Sequence, residues 1–303
     1  MPELPEVRCV ARSIRGVLGR VVQDVRLGRS DWIRGLNSPE QVVGRSIGAI
    51  RTHGKRIWLR LDGSGAVGPG GLRGGGGCGR CWLLVHLGMT GRLELVDPWA
   101  VCSPHTHAVL VLEGVAGRVE LRSVDPRRFG GLWLMGRRSE AGRIGPDALR
   151  MSAVGLAGCL AGSRRAVKAV LLDQSRVAGL GNIYVDESLH GAGIHPLEPA
   201  CNVDAEGAAR LHRSIRRVLL RAVRLGGSTL RDYRDAGGVG GMAQRVHRVY
   251  GRGGEPCMGC GAVLACGVVG GRTTCWCAQC QRLGAWSAVL VEAQAGRSGP
   301  QGG

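Results

Sequence analysis

The stretch CMGCGAVLACGVVGGRTTCWCAQC, residues 257–280, sets two Cys-x2-Cys pairs sixteen residues apart. Each pair brings two thiolates onto one turn, and two such turns close a tetrahedral site of the kind zinc takes. Four thiolate ligands, Cys257, Cys260, Cys277 and Cys280, leave no open coordination position, so the metal is expected to organise structure and not to activate water. Cys266 and Cys275 lie in the same stretch and can in principle compete as ligands, but neither belongs to an x2 pair. A further pair, Cys78-x2-Cys81, has no obvious second pair and reads as incidental thiols. With 12 Cys and metal-type spacing, the chain is expected to work in a reducing compartment with free thiols.

Upstream, the pattern is helical. Leu211, Ile215, Val218, Leu219 and Val223 recur at helical spacing up to Gly226-Gly227, and Val167, Val170 and Leu171 mark another segment. Between them, Val177-Ala178-Gly179-Leu180-Gly181-Asn182-Ile183-Tyr184 is a Gly-punctuated turn leading into a further helix, which predicts a helix, two-turn, helix unit. From residue 20 to about 135, short apolar stretches such as 56–61 and 108–112 alternate with Gly-rich turns, the pattern of an antiparallel β-sandwich. Residues 63–80, GSGAVGPGGLRGGGGCGR, interrupt it with a segment that has almost nothing to bury and reads as a flexible loop. Nearest the N-terminus, Val7, Val10, Ile14, Val17 and Leu18 repeat at helical spacing, with Pro5 suited to a first turn.

The predicted fold is α+β and multidomain: an N-terminal helix plus antiparallel β-sandwich over 2–135, and a helical domain over 144–227. A loop over 228–244, a metal finger over 245–281 and a Gly/Ser/Gln tail over 282–303 follow.

Lys plus Arg number 41 against 23 Asp plus Glu, a net charge of +18 whose self-repulsion a polyanion would relieve. Charge alone leaves room for a merely basic protein, since the 53 Gly and few Lys point to compositional drift. No run of eighteen apolar residues occurs, and MPELPEVRCV is acidic and Pro-punctuated, unlike an export signal, so a cytoplasmic protein without a membrane span is expected. At 4% aromatic residues, the chain lacks the stacking platforms of single-stranded RNA binders.

MPELPEV at the start, HLGMTGRL at 86–93, DPRRFG at 125–130, GLGNIYVDESLHGAGIHP at 179–196 and the four-Cys finger together resemble the bacterial formamidopyrimidine-DNA glycosylases. The matches run in family order from residue 2 to about 281. The resemblance implies a bifunctional glycosylase and abasic-site lyase that excises oxidised purines from damaged double-stranded DNA, acting as a monomer with one structural zinc. Removal of Met1 would free the secondary amine of Pro2 as nucleophile. An α-amine, with a reference pKa near ~8 against ~10.4 for Lys, is far more often unprotonated at neutral pH. Its cationic imine with the sugar C1′ acidifies C2′ for elimination.

By the same resemblance, Glu3 shuttles protons, Glu6 helps position the sugar, Lys55 reaches the lesion phosphate from a β-strand, and Arg272 at the tip of a β-hairpin finger clamps phosphate and assists δ-elimination. Without the surrounding motifs, Glu3 and Glu6 would read as helix N-terminal carboxylates and Lys55 as a solvated lysine. Met89, Arg127 and Phe129 match the residues that fill the stack vacated by the extruded base, although a lone Phe is ordinarily a core residue. His105, Arg127, Arg164 and Asn182 are expected on the DNA backbone, with Tyr184 and Glu187 supporting the Asn182 turn; Arg164 stands where the family usually has lysine. Residues 228–244 align with the loop that closes over the purine, with Gly238 and Gly241 where bulkier residues are common. Two rival readings are an endonuclease VIII-like glycosylase of oxidised pyrimidines, against which Leu4 argues, and a noncatalytic zinc-finger binder of damaged DNA, against which Pro2, Glu3, Lys55 and Arg272 argue.

Overall fold

The computed structural model describes residues 2–35, 38, 41–63 and 79–284. Met1, Cys78, nearly all of the 63–80 insertion and the tail beyond 284 lie outside the described residues. The chain forms two compact units, Met1–Arg143 with Ala222–Gln244 and Ile144–Arg221 with Arg245–Gly303. No helix among the described residues is long and apolar enough to cross a membrane.

The first unit begins with helix α1 (Leu4–Ser13), which has Pro5 in its first turn, and continues as a 3-10 turn over Ile14–Val17. The expected helix through Leu18 therefore stops short. Gly16 falls in its last turn, where a residue without Cβ weakens the helix, and Leu18 points to solvent. Nine strands follow: β1 (Val21–Leu27), β2 (Ile33–Arg34), β3 (Ser46–His53), β4 (Arg56–Asp62), β5 (Cys81–His86), β6 (Arg92–Val96), β7 (Thr106–Gly114), β8 (Gly117–Val124) and β9 (Gly131–Met135). They form one hydrogen-bonded run in the order β2-β9-β5-β4-β3-β1-β7-β8-β6. All pairings are antiparallel except β2 with β9.

Register shifts at Val22/Asp24, Ile47/Ala49 and Thr106/Ala108 mark bulges in β1, β3 and β7, the devices that bend a sheet over itself. Ile47, Leu59, Leu83, Leu93, Leu110, Leu121 and Leu132, drawn from strands along the whole run, consequently share one core with Val7 and Val10 of α1 and Ile14 of the turn that follows it. This is the expected β-sandwich, with the N-terminal helix built into its core.

The second unit contains α2 (Ala153–Leu160), α3 (Val167–Leu172), α4 (Asn182–Ala192) and α5 (Ala205–Arg224), the last belonging to this unit through Arg221. Ser152 caps α2 by accepting the Gly155 N–H. Gly193, at φ +69, ends α4 in the left-handed conformation that favours glycine. The two-turn between α3 and α4 is held by Gln174, which accepts the Gly179 N–H and donates to the carbonyls of Leu172 and Leu180. A two-stranded hairpin, β10 (Ala265–Val269) and β11 (Arg272–Trp276), completes the unit.

Candidate functional site

In the first unit, the chemistry gathers at the start of α1. Pro2 is buried, and Glu3 and Glu6 are 3% and 2% exposed. Glu3 is the N-cap residue of α1, and its N–H donates to Glu6 Oε2 at 2.9 Å. The other Glu6 oxygen, Oε1, accepts the Ser228 N–H at 2.7 Å, and the Glu6 carbonyl accepts the Tyr233 hydroxyl at 3.3 Å. One carboxylate thus ties the backbone beside Pro2 to the segment 228–244. Burial pushes the Tyr233 phenol and the Cys9 thiol upward, so both stay neutral.

That segment is built into the first unit at several further points. Ala236 donates to Ser13 Oγ and accepts the Leu95 N–H, and Thr229 Oγ1 accepts the Gly241 N–H. Any side chain at Gly241 would collide with the Gly227 carbonyl, which is why glycine stands there. In the sequence, Gly241 stood out only as a departure from the bulkier residues common in the matching loop.

Lys55 lies in the two-residue turn Gly54-Lys55 joining β3 and β4, correcting its expected place on a strand. Gly54, at φ +55, supplies the left-handed residue a tight hairpin needs, and Lys55 is 8% exposed. His86, opposite Arg56 in the β4–β5 ladder, is pushed below the usual imidazole range by burial, against a hydrogen bond to the Lys55 backbone that acts the other way. It is a neutral neighbour of Lys55 that sequence reading did not single out.

The two motif loops 86–93 and 125–130 meet around Asp125. This buried carboxylate accepts from Thr90 Oγ1 at 2.6 Å, the Arg127 N–H at 3.2 Å and the Gly130 N–H at 2.8 Å. Its own backbone N–H donates to the His105 carbonyl and its carbonyl meets His107 Nε2. Around this hub the backbone takes positive φ at two non-glycine residues, His105 and Arg128. Such strain persists where the surroundings over-determine it, and it marks functional loops. The result is an exposed cluster. Phe129 is 54% exposed and Met89 43%, while the Arg127 guanidinium stacks over the Phe129 ring at 4.8 Å. The ordinary core reading of the only Phe is therefore excluded.

In the second unit, the Sγ atoms of Cys257, Cys260, Cys277 and Cys280 all lie within 4.8 Å of one another. Two of the separations, 3.9 Å for Cys257–Cys280 and 3.4 Å for Cys260–Cys277, bracket the ~3.8 Å edge of a tetrahedron with ~2.3 Å metal–sulfur bonds. Backbone N–H groups of Gly259 and Cys280 donate to Cys257 and Cys277 Sγ. The donor set and its spacing fit a metal ion. Cys266 and Cys275, left open as competing ligands with free thiols, are instead joined to each other. They stand directly opposite in the hairpin, with Cα atoms 4.4 Å apart.

Gly270 and Gly271, both at positive φ, form the hairpin turn, and Arg272 follows as the exposed first residue of β11. The strand is anchored from within. Lys168, fully buried, donates to Asp186 Oδ1 at 2.6 Å and to Thr274 Oγ1 at 2.7 Å, and Asp186 Oδ2 accepts the Cys275 N–H. Burial pushes the Asp186 carboxyl up to about 6, against the pull of Lys168. Neither residue stood out in the sequence.

Asn182 opens α4 as expected, and one N–H of its side-chain amide donates to the Thr273 carbonyl at 2.8 Å, holding β11. Tyr184 and Glu187, expected to support the Asn182 turn at the DNA backbone, are both buried. Glu187 accepts the N–H groups of Arg248, Val249 and Tyr250, fixing the approach to the finger and not the Asn182 turn. Arg164 is exposed.

Residues 1–132 match the family model described as Formamidopyrimidine-DNA glycosylase N-terminal domain, and residues 144–234 that described as Formamidopyrimidine-DNA glycosylase H2TH domain. The formamidopyrimidine-DNA glycosylase of Roseiflexus sp. strain RS-1 is 39% identical over 294 residues, 93% of this chain and 100% of that protein. The MutM (Fpg) protein of Thermus thermophilus is similar in structure, with a TM-score of 0.76 at 38% identity over 93% of this chain and 100% of that one. A Lactococcus lactis Fpg mutant in complex with a Fapy-dG containing DNA gives a TM-score of 0.79 at 30% identity, with the same coverage. With its buried N-terminal carboxylates, its exposed Met89–Arg127–Phe129 cluster and its four-cysteine hairpin, the chain belongs to the formamidopyrimidine-DNA glycosylase family.

Proposed function

We propose that this DNA glycosylase of base excision repair removes oxidised purines, 8-oxoguanine and formamidopyrimidines, from duplex DNA and then cleaves the abasic strand by β,δ-elimination. The observation that carries the reading is the N-terminal constellation, in which the Glu6 carboxylate binds both the Glu3 N–H and the Ser228 N–H. A nucleophile at Pro2 and a loop over the base need such a common fixed point, since a misplacement of about 1 Å can cost ~10²-fold. Pro2 attacks C1′ and forms the imine, and Glu3 moves the proton released on base loss and ring opening. Lys55 and Arg272 act on the phosphates that leave in the two eliminations. One zinc ion held by Cys257, Cys260, Cys277 and Cys280 would fix the hairpin without taking part in chemistry. We read the protein as a cytoplasmic monomer.

Competition between duplexes carrying 8-oxoguanine opposite cytosine and duplexes carrying an oxidised pyrimidine tests the assignment. Single-turnover excision should favour the purine at least tenfold; preference for the pyrimidine would move the chain to endonuclease VIII-like specificity, and binding without cleavage would make it a damage binder.

Two further outcomes follow from the residues read as facing the DNA. Phe129→Ala should slow excision from duplex DNA roughly 10- to 100-fold, about 1.4–2.7 kcal/mol of the few that unstacking a base costs. The effect should shrink on an unpaired substrate, where no stack has to be filled; equal loss on both would deny Phe129 that role. Because the DNA-facing groups include Arg127, Arg164, Arg272 and Lys55, affinity should fall at least ~10²-fold between 50 and 200 mM salt, the drop expected for about four or more neutralised phosphates. A flat salt profile in fluorescence anisotropy would contradict phosphate-dominated binding.

A further inference from the structure

The finger hairpin has two layers of restraint that differ in chemistry. A two-stranded hairpin of five residues per strand is marginal by itself in water. The anchors described above, from Lys168, Asp186 and Asn182, land on β11. Strand β10 is joined to β11 by the ladder and by the Cys266–Cys275 disulfide. That disulfide lies outside the set of four clustered ligand sulfurs, so it neither uses nor blocks the metal site. The two residues differ in burial: Cys266 is an exposed residue of β10, while Cys275 is buried beside Val249, Leu264 and Cys277. The turn at Gly253 closes over it so tightly that any side chain there would collide with Cys266 Sγ.

We propose that Cys266 and Cys275 form a reversible thiol–disulfide couple that staples the finger independently of its metal. In the oxidised form the staple keeps the two strands in register and slows metal loss; in the reduced form the hairpin keeps only the metal, the ladder and the anchors on β11. The partner is a low-molecular-weight thiol and its disulfide. A thiolate attacks Cys266 Sγ, on the less buried residue of the pair, forming a mixed disulfide and releasing Cys275 as its thiol; a second thiolate attacks the external sulfur and releases Cys266. The net change is one protein disulfide and two small thiols going to two protein thiols and one small disulfide, and the reverse reaction closes the staple. A cross-link that closes a short loop limits the open states available to the hairpin, which is how it would retard release of the ion.

The test uses the full chain loaded with zinc and equilibrated in reduced and oxidised glutathione at several ratios. Alkylation and peptide mapping read the 266–275 linkage, and a chromophoric chelator reads the rate of zinc release, so the result does not depend on glycosylase activity. The expected result is a linked 266–275 peptide that appears and disappears with the glutathione ratio, and zinc release at least tenfold slower from the linked form. Cys266→Ser, a change at an exposed position, should release zinc at the reduced rate in every buffer. Absence of the linked peptide at all ratios, or equal release rates from the oxidised and reduced unmodified chain, would overturn the proposal without touching the glycosylase assignment.

Discussion

A chain that retains Met1 should form no borohydride-trapped adduct with 8-oxoguanine duplex, and Pro2→Gly should lower strand cleavage by at least about 10³-fold. With Met1 in place, the Pro2 nitrogen is a tertiary amide whose lone pair is delocalised into the carbonyl, so it can neither attack C1′ nor form an imine. The glycine variant would keep an α-amine but a primary one, whose imine can lose its proton and with it the permanent cationic electron sink, while the neighbouring Glu3 N–H stays held by Glu6. The loss should fall on chemistry and not on grip, because the exposed cluster of Met89, Arg127 and Phe129 is organised by Asp125 and not by Pro2. Affinity for DNA carrying a stable abasic analogue should therefore change by less than about threefold. The Met1-retaining chain can be prepared in cells deficient in methionine removal, with intact mass as the check. An adduct of undiminished yield, or one that maps to Lys55, would sink the assignment of the nucleophile.

Much of this arrangement could be read from the sequence because it is local. Apolar spacing over Val7, Val10 and Ile14 reports a helix face, and the Cys-x2-Cys spacing reports a knuckle, since both depend on residues a few positions apart. The residues that sequence reading missed or misplaced act across large separations. Asp125 reaches Thr90, Glu187 reaches 248–250, and Lys168 reaches Thr274. Their partners are fixed only once the strands and helices have packed, and no periodicity encodes them. Asn182 is the instructive case. Its place at a helix N-terminus was legible, but the Thr273 carbonyl that takes its amide comes from 91 residues further on. Cys266 and Cys275 likewise read as spare thiols until the register of the hairpin sets them face to face.

The second large effect is expected at the metal. In reducing buffer, Cys257→Ser should leave the chain with little bound zinc and should lower incision by more than about 10²-fold, while α1 stays folded. Among the described residues, Cys257 is buried in a cluster with only Val249, Leu264, Cys275 and Cys277, with Ala262 packed beside it. So small a core cannot offset the entropy of ordering the hairpin, and structural zinc contributes about 10–16 kcal/mol in finger peptides, more than such a segment holds otherwise. The disturbance should be confined. The second knuckle is tied to the helical body through Gln281, whose amide donates to the Ile194 carbonyl and whose Oε1 accepts the Cys277 N–H, so loss of the ion should free 257–280 up to that tie. Hydrogen exchange by mass spectrometry would separate this from general unfolding: amides of 265–276 should lose protection, whereas those of α1 and β4, inside the sandwich core, should keep it. A metal-free Cys257→Ser protein that still cleaved at the full rate would show that Arg272 is presented without the ion, and the finger would then have to owe its order to the anchors from Lys168, Asp186 and Asn182.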